Sequence, residues 1–214
     1  MKNCAFCDRK VFEERIITET DEFFVIATLG QITDGGHLLI FPKRHARCLT
    51  HLTTEEMEKF TNLLFQTERS VLREYCNAEI DNHSFSVGNI LFEHGIVGQT
   101  VLHAHIHIVP ASLYLTAYIQ KDYREARHSR FNIFTDGVPR PHNAEFVSYL
   151  LWRSPGVREP THIWWRPLEV PLQYFRTLVA KEYGRPERAN WRTMDPVLDK
   201  RLCSETVLRL KKYF

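Results

Sequence analysis

The sequence contains no apolar run near the roughly 20 residues that cross a bilayer, which excludes a membrane-spanning helix. Its opening residues, Met1-Lys2-Asn3-Cys4, lack the apolar stretch of a secretory signal, so a cytoplasmic location is the expectation. No low-complexity tract and no internal repeat is present, which excludes a solenoid. A disulfide framework is also missing. The five cysteines are an odd number, and Cys48, Cys76 and Cys203 stand singly, as in proteins of a reducing compartment. Charge of one sign is scarce overall, with a net of only +2, and the arginines are dispersed rather than clustered. That distribution speaks against nucleic acid as a partner.

What the chain does have is 214 residues, 43% of them hydrophobic and 25% charged, the balance of a globular protein with a sizeable core. Its charge is divided unevenly. Residues 1–110 hold 10 Lys and Arg against 15 Asp and Glu, while 111–214 hold 18 against 11. A basic second half suits a polyanion such as a nucleotide phosphate tail, and equally an ordinary solvated surface.

Phe23 to Ile26 and His37 to Phe41 read as strands of a hairpin, joined through Gly30 and Asp34-Gly35-Gly36. Thr53 followed by Glu56 is a capping box, and Met57, Phe60, Leu64, Thr67, Val71 and Tyr75 then recur at helical spacing. Ser84 to Phe92 and Thr100 to Val109 read as two further strands around Gly95 and Gly98, with Pro110 ending the second. Residues 111–141 show no clean period and read as a long loop. Phe146 to Trp152 and His162 to Trp165 are expected as strands, and Pro171 to Tyr183 as a helix stopped by Gly184. A last helix is expected to open at Asp195-Pro196. The fold class is α+β.

Leu102-His103-Ala104-His105-Ile106-His107-Ile108-Val109 alternates imidazole with apolar side chains. In a strand successive side chains point to opposite faces, so the three histidines share one face while Ala104, Ile106 and Ile108 pack into a core. Two chemistries compete for such a row. Imidazoles can ligate a metal, or one can attack an electrophile while its neighbours orient it. Cys4-x-x-Cys7 adds a pair that is a weak metal signal by itself.

The stretch Gly98-Gln99-Thr100-Val101-Leu102-His103-Ala104-His105-Ile106-His107 resembles the signature of the histidine triad (HIT) family. Cys4-Ala5-Phe6-Cys7 and Gly36-His37-Leu38-Leu39-Ile40-Phe41-Pro42-Lys43-Arg44-His45 agree with it in order and spacing, so the resemblance covers about residues 3–112. It implies a HIT-like antiparallel sheet with a long helix as a domain over 1–112, followed by a mixed α/β C-terminal extension over 113–214. It also implies a mechanism: His105 attacks the α-phosphorus of a dinucleoside polyphosphate or nucleoside phosphoramidate, and water releases the nucleotide from a nucleotidyl-His105 intermediate. His103 and His107 then act beside the nucleophile, and Gln99, Thr100 and the Gly98 loop contact the substrate. A nucleotidyltransferase of the same mechanism, or a nucleotide-binding module with little turnover, is the alternative. Homodimers are common in the family.

The resemblance further implies a structural zinc. Zinc-bearing branches, and the related galactose-1-phosphate uridylyltransferases, complete the Cys pair with the positions of His45 and His103, giving Cys4, Cys7, His45 and His103 here. Two departures stand out. The first hairpin, Ala27-Thr28-Leu29-Gly30-Gln31, has no acidic residue where many members hold the ribose. The loop before the triad has Phe92-Glu93-His94-Gly95 instead of an Asn, and Glu93 and His94 read either as residues near the phosphate or, the favoured reading, as solvated turn residues. Arg176 and Arg192 suit a distal phosphate by the fit of guanidinium to phosphate, but the favoured reading is surface arginines, and Trp164 and Trp165 read as core or interface.

Overall fold

The computed structural model describes residues 4–76, 88–139, 148–156, 160–167 and 169–214. Eight strands form one sheet: β1 Ile16–Glu19, β2 Phe23–Ala27, β3 Leu38–Pro42, β4 Asn89–Gly95, β5 Ile106–Pro110, β6 His128–Phe131, β7 Tyr149–Arg153 and β8 Thr161–Trp165. Their order is β1-β2-β3-β5-β4-β7-β8-β6, and every pairing is antiparallel. Four α-helices accompany them: α1 Thr54–Tyr75, α2 Leu115–Asp122, α3 Tyr174–Glu182 and α4 Pro196–Leu210. The architecture is α+β, and no described helix is long and apolar enough to cross a membrane.

Central strands are buried on both faces because each face has its own cover. On one side Val25, Ile40, Leu91, Ile106, Ile108 and Leu151 pack with Phe60, Leu64 and Val71 of α1 and with Cys203 and Val207 of α4. On the other, Ile90, Phe92, Val109, Leu150 and Trp152 pack with Leu115 and Ile119 of α2 and with Phe175 and Leu178 of α3. A third cluster, Phe12, Phe24, Ile26, Leu39 and Phe41, covers the β2–β3 end of that second face. The alternation along β5 decides the site: Ile106 and Ile108 go into the first core, which turns His107 to the other face.

Helix α1 starts where the capping box requires. Thr53 Oγ1 accepts from the Glu56 amide at 3.1 Å, and the Glu56 carboxylate accepts from the Thr53 amide at 2.6 Å. Asp195 caps α4 in the same manner, accepting from the amides of Val197 and Leu198 at 2.8 Å. Strand β4 joins the two halves of the chain, pairing with β5 on one side and with β7 on the other.

Several expectations are corrected. Residues 111–139 are not a loop throughout, since α2 and β6 lie inside them. Helix α2 has eight residues and shows only Leu115 and Ile119 to the core, and β6 is an edge strand of mixed exposure, so neither leaves a periodic trace. Strand β1 was not anticipated, its two isoleucines being flanked by charge. The regular strand expected from Thr100 begins only at Ile106, because the backbone turns through left-handed Ile96 and Gly98 (φ +71° and +75°) before reaching it. In the opposite direction, β4 runs past Phe92 to Gly95, so Glu93 and His94 are buried strand residues and not a solvated turn. Residues 84–87, 140–141 and 146–147 of the expected segments lie outside the described residues. Helix α3 starts at Tyr174 rather than Pro171, since Gln173 is left-handed at φ +61°.

Candidate active site

The three histidines of the row approach one another although only His107 stands in a regular strand. His105 Nδ1 lies 2.6 Å from the carbonyl of His103, and a carbonyl can only accept, so Nδ1 carries the proton. Nε2 is therefore the lone-pair nitrogen of His105. Burial pushes this imidazole's pKa down to about 4, so it is neutral near pH 7. His107 sits next to it, ring centres 5.1 Å apart, and stacks on Phe92 at 4.3 Å. Its Nδ1 is 2.9 Å from Nε2 of His37 at the start of β3. His37 is itself fixed by Gln31, whose side chain bonds its amide and its carbonyl at 3.0 and 2.8 Å.

A cavity of about 140 Å³ opens onto this row. Its lining mixes apolar Phe6, Phe12, Ile26, Leu29 and Leu39 with His94, Gly98, Gln99, Thr100, His105, His107, Gln173, Arg176 and Trp191. Gln99 donates its amide to the Arg47 carbonyl at 3.1 Å, which leaves its buried Oε1 without a partner. Thr100 Oγ1 accepts from the Trp191 indole at 3.4 Å. Such a cavity, with apolar side chains, neutral imidazoles and donors in one lining, suits a flat ring carrying a phosphorylated tail. Gly95 is absent from this wall: a side chain there would meet the ring of Tyr149, so its role is close packing.

Cys4, Cys7, His45 and His103 converge beside the row, their donor atoms all within 4.8 Å of one another. Cys4 Sγ lies 3.4 Å from His103 Nδ1, Cys7 Sγ 3.4 Å from His45 Nδ1, and Cys7 Sγ 3.6 Å from His103 Nδ1. Around a tetrahedral ion with bonds of about 2.3 Å to sulfur and 2.0–2.1 Å to nitrogen, sulfur and nitrogen ligands stand about 3.5 Å apart. The four donors could therefore hold a metal with little movement. His103 Nε2 donates to the Pro42 carbonyl at 2.8 Å, which turns its Nδ1 lone pair toward the thiols. Phe6, carried between the two cysteines, lies edge-on to both His103 and His105 at 5.7 and 5.3 Å.

From the sequence, His37 and Trp191 have no assigned role, and a phosphate-side place is only the less favoured reading of His94 and Arg176. His37 belongs to the quoted Gly36–His45 stretch, yet only the pairing of β3 with β5 brings it to His107. His94, its pKa pushed down to about 3 by burial, accepts from the Phe175 amide at 3.1 Å and reaches the cavity from β4. Arg176 is 3% exposed and lines the same cavity, which corrects its reading as a surface residue. Trp191 completes that wall, while Arg192 stays exposed, its guanidinium over the Trp191 ring at 4.1 Å. Trp164 is buried against α3, as expected of a core residue.

The sequence profile described as the HIT domain matches residues 9–112. Bis(5'-adenosyl)-triphosphatase of Dictyostelium discoideum is 33% identical over 100 residues, covering 46% of this chain and 60% of that protein. The nitrilase and fragile histidine triad fusion protein NitFhit of Caenorhabditis elegans is 36% identical over 99 residues, 45% of this chain and 20% of that one. The match thus spans less than two thirds of either relative's own length. Among solved structures, a zinc-bound histidine triad family protein of Mycobacterium smegmatis is 27% identical with a TM-score of 0.39, covering 50% of this chain and 74% of that one.

Proposed function

Residues 9–112 of this chain are a HIT domain, and on that premise we propose that the protein hydrolyses a nucleotide at its α-phosphate through a covalent nucleotidyl-His105 intermediate. The substrate class is a dinucleoside polyphosphate or a nucleoside phosphoramidate, the former in keeping with the triphosphatase among its relatives. One observation carries the reading: the His103 carbonyl holds the proton of His105 on Nδ1, leaving Nε2 as a neutral nucleophile in the cavity wall. Nε2 attacks phosphorus and forms a P–N bond as the bond to the leaving group breaks. Water then attacks the same phosphorus, the P–N bond breaks, and a nucleoside monophosphate departs.

His107 supplies a proton donor. In the His37–His107 pair, Nδ1 of His37 has no partner, and a buried unmatched N–H is rarer than a buried unmatched acceptor. The tautomer favoured is thus His37 Nε2–H donating to His107 Nδ1, which leaves the His107 proton on Nε2, available to a phosphoryl oxygen or the leaving group. Gln99, Thr100 and the backbone at Gly98 line the phosphate end and are the further donors of the reading. Residues 1–112 form the catalytic unit, and 113–214 are an extension whose α3 and Trp191 contribute the outer wall. We read the metal held by Cys4, Cys7, His45 and His103 as zinc. Held by these four donors, a zinc ion would have no position left for substrate, so its contribution would be structural: it would fix His103, whose carbonyl orients His105. A cytoplasmic setting suits the five free cysteines.

Incubation with diadenosine triphosphate, diadenosine tetraphosphate and an adenosine phosphoramidate, followed by acid-stable and acid-labile product analysis, tests the reading. Release of AMP with a transient acid-labile adduct mapping to His105 is expected. AMP release without an adduct on His105 refutes the mechanism, and release only after a phosphate-bearing acceptor is added makes the protein a transferase.

The pH profile follows from the burial of His105. The reactive form is neutral and its folded-state pKa is about 4, so kcat/KM is expected to hold from pH 8 down to about 5.5 and to fall only nearer 4. An acid limb with its midpoint between pH 6 and 7 would show an ordinary, solvated imidazole instead. The same depression makes the unfolded chain bind more protons between about pH 6.5 and 4, so stability is present above that window and declines as pH falls through it. Circular dichroism at each pH separates that decline from the rate.

A further inference from the structure

Arg176, on α3, is a buried cation without an ion-pair partner among the described residues. Its Nε donates to the carbonyl of Ala189 at 3.2 Å, and Nη2 donates to those of Gly30 at 2.7 Å and Arg188 at 3.2 Å. These bonds use Nε and both hydrogens of Nη2, and Nη1 takes part in none of them. Asp199 is the carboxylate whose charge reaches it, but Asp199 Oδ1 is occupied by the amides of Gly30 and Gln31 at 2.8 and 3.4 Å. Burial lowers the guanidinium's pKa only to about 10, so it keeps its charge at neutral pH. A buried charge facing neutral carbonyls is costly to the fold unless something else faces it.

The cavity says what that is. Arg176 lines it together with His105, His107 and Gln99, and after burial its positive charge is a lesser contributor to the lowered pKa of His37, His94 and His107. Gln173, three residues earlier, lines the same wall with its Oε1 buried and unpartnered. Both belong to the second half of the chain. Arg176 packs on the turn at Gly30, where the backbone is left-handed (φ +68°) and a side chain would collide with Trp191 and Arg176. With Nε and Nη2 committed, Nη1 is left to donate a charge-assisted hydrogen bond to an oxygen of a phosphate, whose negative charge an amine or a neutral leaving group does not offer.

We propose that Arg176 binds the phosphate adjoining the one His105 attacks, making the site selective for phosphoanhydrides over phosphoramidates. The proposal rests on the nucleotide reading of the cavity and adds the leaving-group specificity. During cleavage the departing phosphate gains negative charge beside a cation already in place, which stabilises the transition state more than the ground state.

The experiment compares wild type, Arg176→Gln and Arg176→Lys by calorimetric titration with ADP and AMP, and by turnover of diadenosine triphosphate and an adenosine phosphoramidate. Wild type is expected to bind ADP at least about tenfold tighter than AMP, and Arg176→Gln to bring the two within about twofold, the scale of hydrogen bonds to a charged group. Turnover of the triphosphate should fall by about 10- to 100-fold in Arg176→Gln while the phosphoramidate changes by less than about threefold. Arg176→Lys should keep part of both preferences. Ratios taken within one protein cancel any loss of folded material, so equal losses on both substrates, or an ADP preference that survives Arg176→Gln, overturns the proposal. Wild type that discriminates ADP from AMP through Arg176 but turns over neither substrate refutes the hydrolase reading and upholds this one. Triphosphate turnover with an unchanged preference in the variant does the reverse.

Discussion

His105→Ala is expected to lower turnover by about 10⁴-fold or more while nucleotide affinity stays within a few-fold of wild type. The size follows from the role. A general acid or a donor can be replaced in part by water, whereas the atom that forms the bond to phosphorus has no substitute in this cavity. His107→Gln should therefore cost less, about 10²- to 10⁴-fold, because it removes proton donation and not the covalent step. Alanine leaves the His103 carbonyl without its partner in a buried place, so folding must be followed by thermal melts alongside the rates. His105→Asn is the companion variant, since its amide can still donate to that carbonyl. Quantified AMP release above about 1% of wild type from either protein would remove His105 from the role of nucleophile.

The second large effect is expected from the Cys4–Cys7 segment. Purified protein should carry close to one zinc per chain by elemental analysis. If cellular zinc sits about 1,000-fold above its dissociation constant, binding supplies about 4 kcal/mol to the folded state. In a chain of this size that corresponds to about 8–16 °C in Tm on chelation or in Cys7→Ser. The loss should reach the chemistry. Without the metal, the Nδ1 side of His103 loses its ligand, and the carbonyl that sets the His105 tautomer is carried by that same residue. A fall in kcat with little change in KM is the signature of that route. Protein that purifies without metal, together with a Cys7→Ser variant melting within about 2 °C of wild type, would reduce the four donors to a local cluster without a bound ion.

Much of the sheet could be read from local pattern. Phe23 to Ile26 and His37 to Phe41 are apolar runs with glycine-rich punctuation between them, and they pair as β2 and β3. Thr53 and Glu56 announce α1 because a capping box is settled within four residues. The row His103, His105, His107 was legible in its spacing, and Ala104, Ile106 and Ile108 do pack on the far side. Its regular strand geometry was not legible, because the left-handed turn at Gly98 is a choice of backbone that no side-chain period records.

Arg176 and His37 illustrate the other limit. Arg176 meets Gly30 across 146 residues, and His37 meets His107 across 70, so neither contact leaves a mark in a window of neighbours. An arginine in a helix reads as surface unless the surface it faces is already known. Glu93 misled for a related reason. Its carboxyl, buried in β4 and raised to about 8, accepts from the Leu49 amide at 3.0 Å and from the Tyr149 hydroxyl, partners lying 44 and 56 residues away.

Helix α4 has a bearing on how the molecule is made. Its Asp199 holds the Gly30 amide, its Thr206 holds the Gly36 amide at 3.0 Å, and its Cys203 donates to the Thr28 carbonyl at 3.0 Å, so the β2–β3 turn is shaped by residues synthesised 169 to 175 positions later. At translation rates of about 5–20 residues per second, the roughly 100 residues separating β5 from the end of α4 take about 5–20 s to emerge. For about the first two thirds of that interval the nascent chain carries its histidine row and the Cys4–Cys7 pair without Arg176, and until its end it lacks the helix that braces the turn. Slow codons or a stalled ribosome in this stretch would prolong the time in which Val25, Ile40 and Phe60 lack their α4 neighbours, and a chaperone that shields apolar surface would act most usefully there.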